Sequence, residues 1–173
     1  MSAELLPALA PWVPARTDAR VAAVVRHAIA RLGVCEMPLG SNRSAVIDEW
    51  AREAGAELGS YWCANFATKV WRAAGLATAG KGKDPSCDLL MQWAQTTQRW
   101  SATPSLGALV FYGPTATDAT HVAIVVRLSP AVLVVGGNER WGAVASRNGV
   151  AVQLRAEART DILGYAACLA GPL

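Results

Sequence analysis

The chain has 173 residues, of which 53% are apolar, and a formal charge of +3 at pH 7. This length and apolar content suit one hydrophobic core and a single domain. The basic residues are scattered rather than massed in a run, so charge gives no reason to expect nucleic-acid binding. The longest apolar runs, 131–137 and 122–126, are far shorter than the roughly 18–20 residues that cross a bilayer, so we expect no membrane insertion.

Residues 1–17 form a leader that prolines interrupt. It contains Pro7, Pro11 and Pro14, together with Glu4, and it lacks a basic segment at its start. These features are not those of a secretory signal. We therefore expect the protein to be made in the cytoplasm without a signal peptide. If it works elsewhere, something else must deliver it.

Four helices are predicted next, because apolar residues recur at helical spacing. Their predicted bounds are 20–32, 44–54, 64–74 and 86–96. Glycines directly follow the first three, as is common where a helix ends. Cys63 lies in the first turn of the third helix.

From residue 108 the pattern changes to short runs rich in β-forming residues, separated by turn clusters. The predicted strands are 108–112, 121–126, 131–135, 143–146, 150–154 and 162–168. Helices followed by an antiparallel meander predict an α+β fold rather than a doubly wound sheet. We expect N-terminal helices that pack on a C-terminal antiparallel sheet of about five to six strands.

The four cysteines, Cys35, Cys63, Cys87 and Cys168, lack the short paired spacings of zinc sites and small disulfide scaffolds. We therefore expect mostly free thiols and no metal site. A thiol reacts as its thiolate, and the N-terminus of a helix stabilises that anion. Cys63 meets this criterion, but Cys87 also lies near a helix start, so the criterion alone does not separate them. Cys168 is expected to be buried and inert.

His121 is one of two histidines and begins a strongly apolar strand directly after a polar loop. The other, His27, is predicted on the surface face of the first helix. Asn138 follows two glycines at the end of the next apolar run, and adjacent antiparallel strands would bring it beside His121. A helix packed across these strands would present Cys63 to the other ring nitrogen. The alternative is structural, a histidine at a strand end and an Asn–Glu turn.

The segment Tyr61-Trp62-Cys63-Ala64-Asn65-Phe66 resembles the Trp-Cys-Ala-x-Phe signature of CHAP-domain amidases and peptidases. Residues 121–126 are similar to the histidine strand of that family, and the resemblance extends over about 20–170. It includes Gly40-Ser41-Asn42, 107–111 and the Gly-Gly-Asn segment at 136–138. The resemblance implies a papain-like fold related to the NlpC peptidases, with one CHAP-like catalytic domain over 18–173. It also implies hydrolysis of amide bonds in peptidoglycan without a cofactor.

Carried over residue by residue, the resemblance implies that Cys63 attacks the amide carbonyl. His121 would take the thiol proton and later return one to the leaving amine, and Asn138 would hold the imidazole ring. The oxyanion would be met by the backbone N–H of Cys63 and one further donor, for which Tyr61, Trp62 and Asn65 are the nearby candidates.

Aromatic residues divide into two groups in this prediction. Trp50, Trp71 and Trp93 lie on inward helical faces and are expected in the core. Trp62 and Trp141 are expected to line the substrate groove, with Tyr61 and Asn65 beside them. For both tryptophans, packing in the core remains the alternative.

The chain departs from the family pattern at three positions. Ala108 stands where an acidic residue is common, and we expect that position to be structural. Gly136 stands where many relatives carry a glutamate two residues before the asparagine, so Glu139 is considered only as an auxiliary residue. Trp62 precedes Cys63, whereas NlpC-type peptidases use an Asp-Cys pair and often a second histidine, so the CHAP branch is favoured.

The leading hypothesis is a peptidoglycan amidase or endopeptidase with peptidoglycan as its partner. It would act in the periplasm or outside the cell, either as a phage-type endolysin or as an antibacterial effector, which would also need an immunity protein. One alternative is a cysteine hydrolase or deamidase that acts on another amide substrate. Another is a catalytically inactive module that binds the wall. The sequence leaves open which bond is cut, the target organism and the oligomeric state.

Overall fold

The computed structural model describes residues 13–140 and 149–169, and within these ranges four helices precede six strands. The helices are α1 (Ala19–Ile29), α2 (Ala45–Ala54), α3 (Cys63–Ala73) and α4 (Cys87–Thr96). The strands are β1 (Trp100–Ser101), β2 (Leu109–Tyr112), β3 (His121–Arg127), β4 (Leu133–Glu139), β5 (Ala151–Ala156) and β6 (Ile162–Ala166). The predicted strand at 143–146 and Trp141 lie outside the described residues.

Three of the four helices begin at a side chain that caps them. Asp18, Ser44 and Ser86 accept hydrogen bonds from backbone N–H groups in the first turns of α1, α2 and α4. In contrast, α3 begins after Trp62, whose side chain makes no capping hydrogen bond in the described part of the chain. The first N–H groups of a helix have no partner within it, so those of α3 can meet another acceptor.

All strand pairs are antiparallel, and the sheet order is β1-β6-β2-β3-β4-β5. The predicted α+β fold, with helices first and an antiparallel sheet second, is confirmed. β1 was not predicted, since two residues are too few to show an alternating pattern. β3 pairs with β2 on one side and with β4 on the other, and His121, its first residue, pairs with Tyr112 of β2.

The core explains why β3 reads as an uninterrupted apolar run. Val122, Ile124 and Val126 belong to the core cluster shared with the helices, whereas Ala123 and Val125 belong to a second cluster. Side chains alternate between the two faces of a strand, and both faces of β3 are buried. α3 packs directly against β3 and β4, so the helix that begins at Cys63 is fixed to the strands that follow His121.

The two glycines at 136 and 137 lie inside β4, not after its end. The prediction of a strand that stops at Val135 is wrong, because β4 continues to Glu139. A Cβ on Gly137 would lie 2.6 Å from the Cβ of Phe66 and 2.8 Å from the Trp62 ring. Glycine at this position therefore lets the strand approach α3 more closely than any other residue would permit.

None of the helices within 13–140 and 149–169 is long and apolar enough to cross a membrane. The division into a leader at 1–17 and a single domain at 18–173 stays a prediction.

Candidate active site

A cleft of about 820 Å³ opens where the start of α3 meets the sheet. Its lining includes Tyr61, Cys63, Thr120, His121, Asn138, Glu139, Arg140, Arg155 and Arg159. A volume of several hundred cubic ångströms is typical of sites that hold small molecules or a few residues of a peptide. The fold therefore joins the start of one helix and the ends of several strands at one concave surface.

Cys63 is the first residue of α3 and is 5% exposed. Its thiol contacts the Cys87 thiol, the His121 side chain and the backbone N–H of Val122. Hydrogen bonding from Cys87, followed by hydrogen bonding and charge from His121, holds the pKa of Cys63 well below its usual range, against the effect of burial. The surroundings of the sulfur therefore favour its thiolate form.

His121 lies between the sulfur of Cys63 and the carboxylate of Glu139. Its Nε2 lies 3.0 Å from Oε1 of Glu139, which leaves Nδ1 for the thiol. Burial lowers the pKa of His121, but Cys63 and Glu139 outweigh this effect and raise it to about 9. The ring also packs on Tyr112, with centroids 5.7 Å apart. Together these contacts favour a thiolate beside an imidazolium.

Glu139 makes the hydrogen bond that the sequence prediction assigned to Asn138. Oε1 of Glu139 also accepts from Nε of Arg155 at 3.1 Å. Burial raises the pKa of Glu139, yet His121 and Arg155 together lower it below the ordinary value, so the group is a carboxylate. An imidazolium held by a carboxylate is fixed in orientation and stabilised in its charged form.

Asn138 lines the same cleft, but its Oδ1 is buried and has no hydrogen-bond partner among the described residues. Its backbone is left-handed, with φ 56°, and the β4–β5 register shifts between Gly136 and Glu139. A left-handed residue inside a strand changes the direction of the chain locally. The bulge brings the side chain of Glu139, rather than that of Asn138, to the ring.

The family model of the CHAP domain matches residues 55–138, a range that contains Cys63, His121 and Asn138. This chain contains a CHAP domain. The resemblance to CHAP domains that the sequence predicted is therefore confirmed. A CHAP domain indicates cysteine-hydrolase activity on the cell wall. No curated protein and no solved structure matches the chain. The matched range ends one residue before Glu139, the partner of the imidazole in this CHAP domain.

The predicted groove residues of the CHAP domain separate into exposed and buried ones. Tyr61 is 62% exposed and lines the cleft. Trp62 is fully buried and donates from Nε1 to Oε1 of Glu36 at 2.9 Å, so it belongs to the core and the prediction of substrate contact is wrong. Asn65 is 1% exposed and does not line the cleft, so its placement in the groove is also corrected. Of the three candidates for the second oxyanion donor, Tyr61 is the one whose side chain lines the cleft.

Two features of the site were not predicted. The Cys87 Sγ lies 3.7 Å from the Cys63 Sγ, and its position at a helix start was the one signal in the sequence that pointed to it. Arg140, Arg155 and Arg159 line the cleft, but scattered arginines gave no signal. Within the described ranges, no group of three or more His, Cys, Asp or Glu side chains could hold a metal ion.

Proposed function

We propose that this chain is a peptidoglycan hydrolase that cleaves amide bonds with Cys63, as an N-acetylmuramoyl-L-alanine amidase or a wall endopeptidase. The observation that carries the proposal is the chain of contacts from Cys63 to His121 and from His121 to Glu139 at one wall of an open cleft. A nucleophile, a base and a group that orients the base are the parts that acyl transfer needs.

In the proposed mechanism the Cys63 thiolate attacks the carbonyl carbon of the amide. The oxygen becomes an oxyanion, which the backbone N–H of Cys63 and the Tyr61 hydroxyl would stabilise. The His121 imidazolium gives its proton to the leaving amine as the C–N bond breaks and a thioester forms. Neutral His121 then takes a proton from water, which attacks the thioester and releases the acid. Glu139 keeps the ring oriented throughout.

The charge of the cleft supports a substrate that carries carboxylates. Three guanidinium groups line the cleft, from Arg140, Arg155 and Arg159, against one carboxylate, that of Glu139. Arg155 and Arg159 have acidic partners, but within the described part of the chain Arg140 has no ion pair. The peptides of a bacterial wall end in carboxylates and bear them on side chains, which suits this excess of positive charge.

The decisive experiment is incubation of the purified chain with purified peptidoglycan, followed by mass analysis of the soluble fragments. Peptides released with their first alanine free would identify an amidase, and new termini inside the peptides would identify an endopeptidase. Cys63→Ala is expected to release nothing, whereas Cys35→Ala, which removes a thiol outside the cleft, should act like the parent. No release by the parent, or equal release by Cys63→Ala, would reject the proposal.

We further propose that the enzyme acts on the wall beyond the cytoplasm, after release or delivery. A phage-type endolysin and an antibacterial effector remain two forms of this proposal. Genes beside its own distinguish them, since a holin gene favours the endolysin, and an immunity protein or secretion apparatus favours the effector.

A further inference from the structure

Cys87 is a second thiol in contact with the proposed nucleophile, and the mechanism above gives it no part. Its Sγ lies 3.7 Å from that of Cys63, which is within hydrogen-bonding distance for two sulfurs. It does not line the cleft, so the substrate would meet Cys63 first. The two residues are far apart in sequence and belong to different helices, so the contact exists only in the folded chain.

Both thiols occupy the first position of a helix. α3 begins at Cys63 and α4 begins at Cys87, so the N-terminal ends of two helices meet at the two sulfurs. The end of a helix with unpaired N–H groups carries a partial positive charge and favours an anion nearby. Two adjacent thiolates would repel each other strongly. The favoured state of the pair is therefore one thiolate beside one protonated thiol.

The surroundings decide which sulfur carries the charge. His121 and the N–H of Val122 contact Cys63. Cys87 instead lies beside the carboxylate of Asp88, which is fixed by the backbone N–H of Ala119 at 2.6 Å. An imidazolium favours a thiolate and a neighbouring carboxylate opposes one, so the charge belongs on Cys63 and the proton on Cys87. The same contact that lowers the pKa of Cys63 raises the pKa of Cys87 well above its usual range.

We propose that Cys87 is a positioning residue that donates its S–H to the Cys63 thiolate and holds that sulfur in its reactive, charged form. This inference rests on the proposed role of Cys63 as the nucleophile. Cys87 does not line the cleft and acts through Cys63. The hydrogen bond increases the fraction of thiolate at a given pH, at the cost of some nucleophilicity for each thiolate.

The test is the rate at which iodoacetamide alkylates Cys63 as a function of pH, read at each cysteine by peptide mass. In the parent chain Cys63 should react first and Cys87 slowly. In Cys87→Ala the midpoint of the Cys63 profile should move to higher pH, by about one unit, which corresponds to about a tenfold loss of rate below the midpoint. Cys87→Ser retains a hydroxyl donor and should recover part of the shift, and Cys35→Ala should leave the profile unchanged.

Circular dichroism and thermal melting report whether each variant folds. A folded Cys87→Ala with the parent's profile would overturn the proposal. If that variant does not fold, the test uses the parent chain alone. Faster alkylation of Cys87 than of Cys63 at neutral pH would show that Cys87 carries the negative charge, which would overturn the proposal. These readouts need no wall substrate. A failure to release peptidoglycan fragments would therefore reject the proposed function, whereas the alkylation profile would still decide this inference.

Discussion

The carboxylate of Glu139 occupies the space beside Gly136. A Cβ added to Gly136 would lie 2.3 Å from Oε1 of Glu139, the oxygen that is 3.0 Å from Nε2 of His121. In the family pattern that the sequence resembles, a glutamate is common at the position of Gly136. In this chain the carboxylate for the imidazole comes from three residues further along β4, and a glycine leaves room for it.

We expect Glu139→Ala to lower the hydrolysis rate by about 10²-fold or more, which is the lower range of what positioned acid–base catalysis contributes. Gly136→Glu combined with Glu139→Ala should restore part of this rate, because the carboxylate then enters the same space from the neighbouring position. Turnover of wall fragments measures both effects.

The matched control is Gly136→Gln with Glu139→Ala, which supplies a side chain of the same size without charge. If this control recovers as much activity as the glutamate variant, a carboxylate at position 136 does not replace that of Glu139. Gly136→Glu alone should be less stable than the parent by about 1–3 kcal/mol, because two side chains then compete for one space.

The pH dependence of hydrolysis should be set by His121. Its pKa is raised to about 9, and the leaving amine needs the proton of the imidazolium, so the rate should fall as pH rises through about 9. On the acid side the rate should fall where Cys63 gains a proton, at a pH well below the usual range of a thiol. The dependence of kcat/KM on pH between about 5 and 10 measures both limits.

Replacement of Glu139 by Gln should move the alkaline limit to lower pH. The carboxylate raises the pKa of His121, so its removal lowers that pKa and the imidazolium loses its proton earlier. Glu57→Gln, at an exposed position away from the cleft, is the control and should keep the parent's limit. An alkaline limit that does not change in Glu139→Gln would show that another group sets it.

Arg140 should contribute to the affinity for substrates that carry a free carboxylate. We expect Arg140→Gln to raise KM for such peptides about two- to fivefold, the range of an exposed ion pair, and to leave kcat unchanged. The same peptides with amidated carboxylates should show no difference. Arg52→Gln, at an exposed position on α2, is the control. An equal rise in KM for both kinds of peptide would argue against recognition of the carboxylate.

Oxidation should join the two thiols. Hydrogen peroxide oxidises the Cys63 thiolate to a sulfenic acid, and the Cys87 thiol then displaces water from that sulfur to form a disulfide. The sulfurs must close from 3.7 Å to about 2 Å, the length of a disulfide bond. We expect activity to be lost on oxidation and recovered with dithiothreitol, and intact mass to fall by two hydrogens.

Cys87→Ala provides the comparison for this oxidation. Without the second thiol, Cys63 should proceed to sulfinic and sulfonic acids that dithiothreitol does not reverse. If the parent chain accumulates these acids as fast as the variant does, Cys87 does not intercept the sulfenic acid.

The sequence was sufficient for the parts of this fold that depend on local chemistry. Ser44 and Ser86 cap helices that begin directly after them, and Gly55 ends α2 in a left-handed conformation. The start of α3 at Cys63 follows from the apolar spacing after it. The position of His121 at the start of β3 follows from the continuous apolar run after it, which is typical of a strand buried on both faces.

The remaining parts of the site depend on long-range packing. The partner of the imidazole is Glu139 because a bulge and a left-handed Asn138 redirect β4, and the bulge arises where the register between β4 and β5 shifts. Cys87 reaches Cys63 because α4 places its first residue beside the first residue of α3. Trp62 is turned inward to a buried Glu36, a pairing across 26 residues that periodicity does not reveal.

The close approach of β4 to α3 at Gly137 has a consequence for the chain before it has folded. Cys63 belongs to the helical layer and His121 to the sheet. The pKa shifts that each causes in the other require the two layers to be packed together. A nascent or partly assembled polypeptide has a thiol and an imidazole with ordinary acidities, far from each other. The contact that favours the Cys63 thiolate therefore exists only after the helical layer and the sheet have packed together.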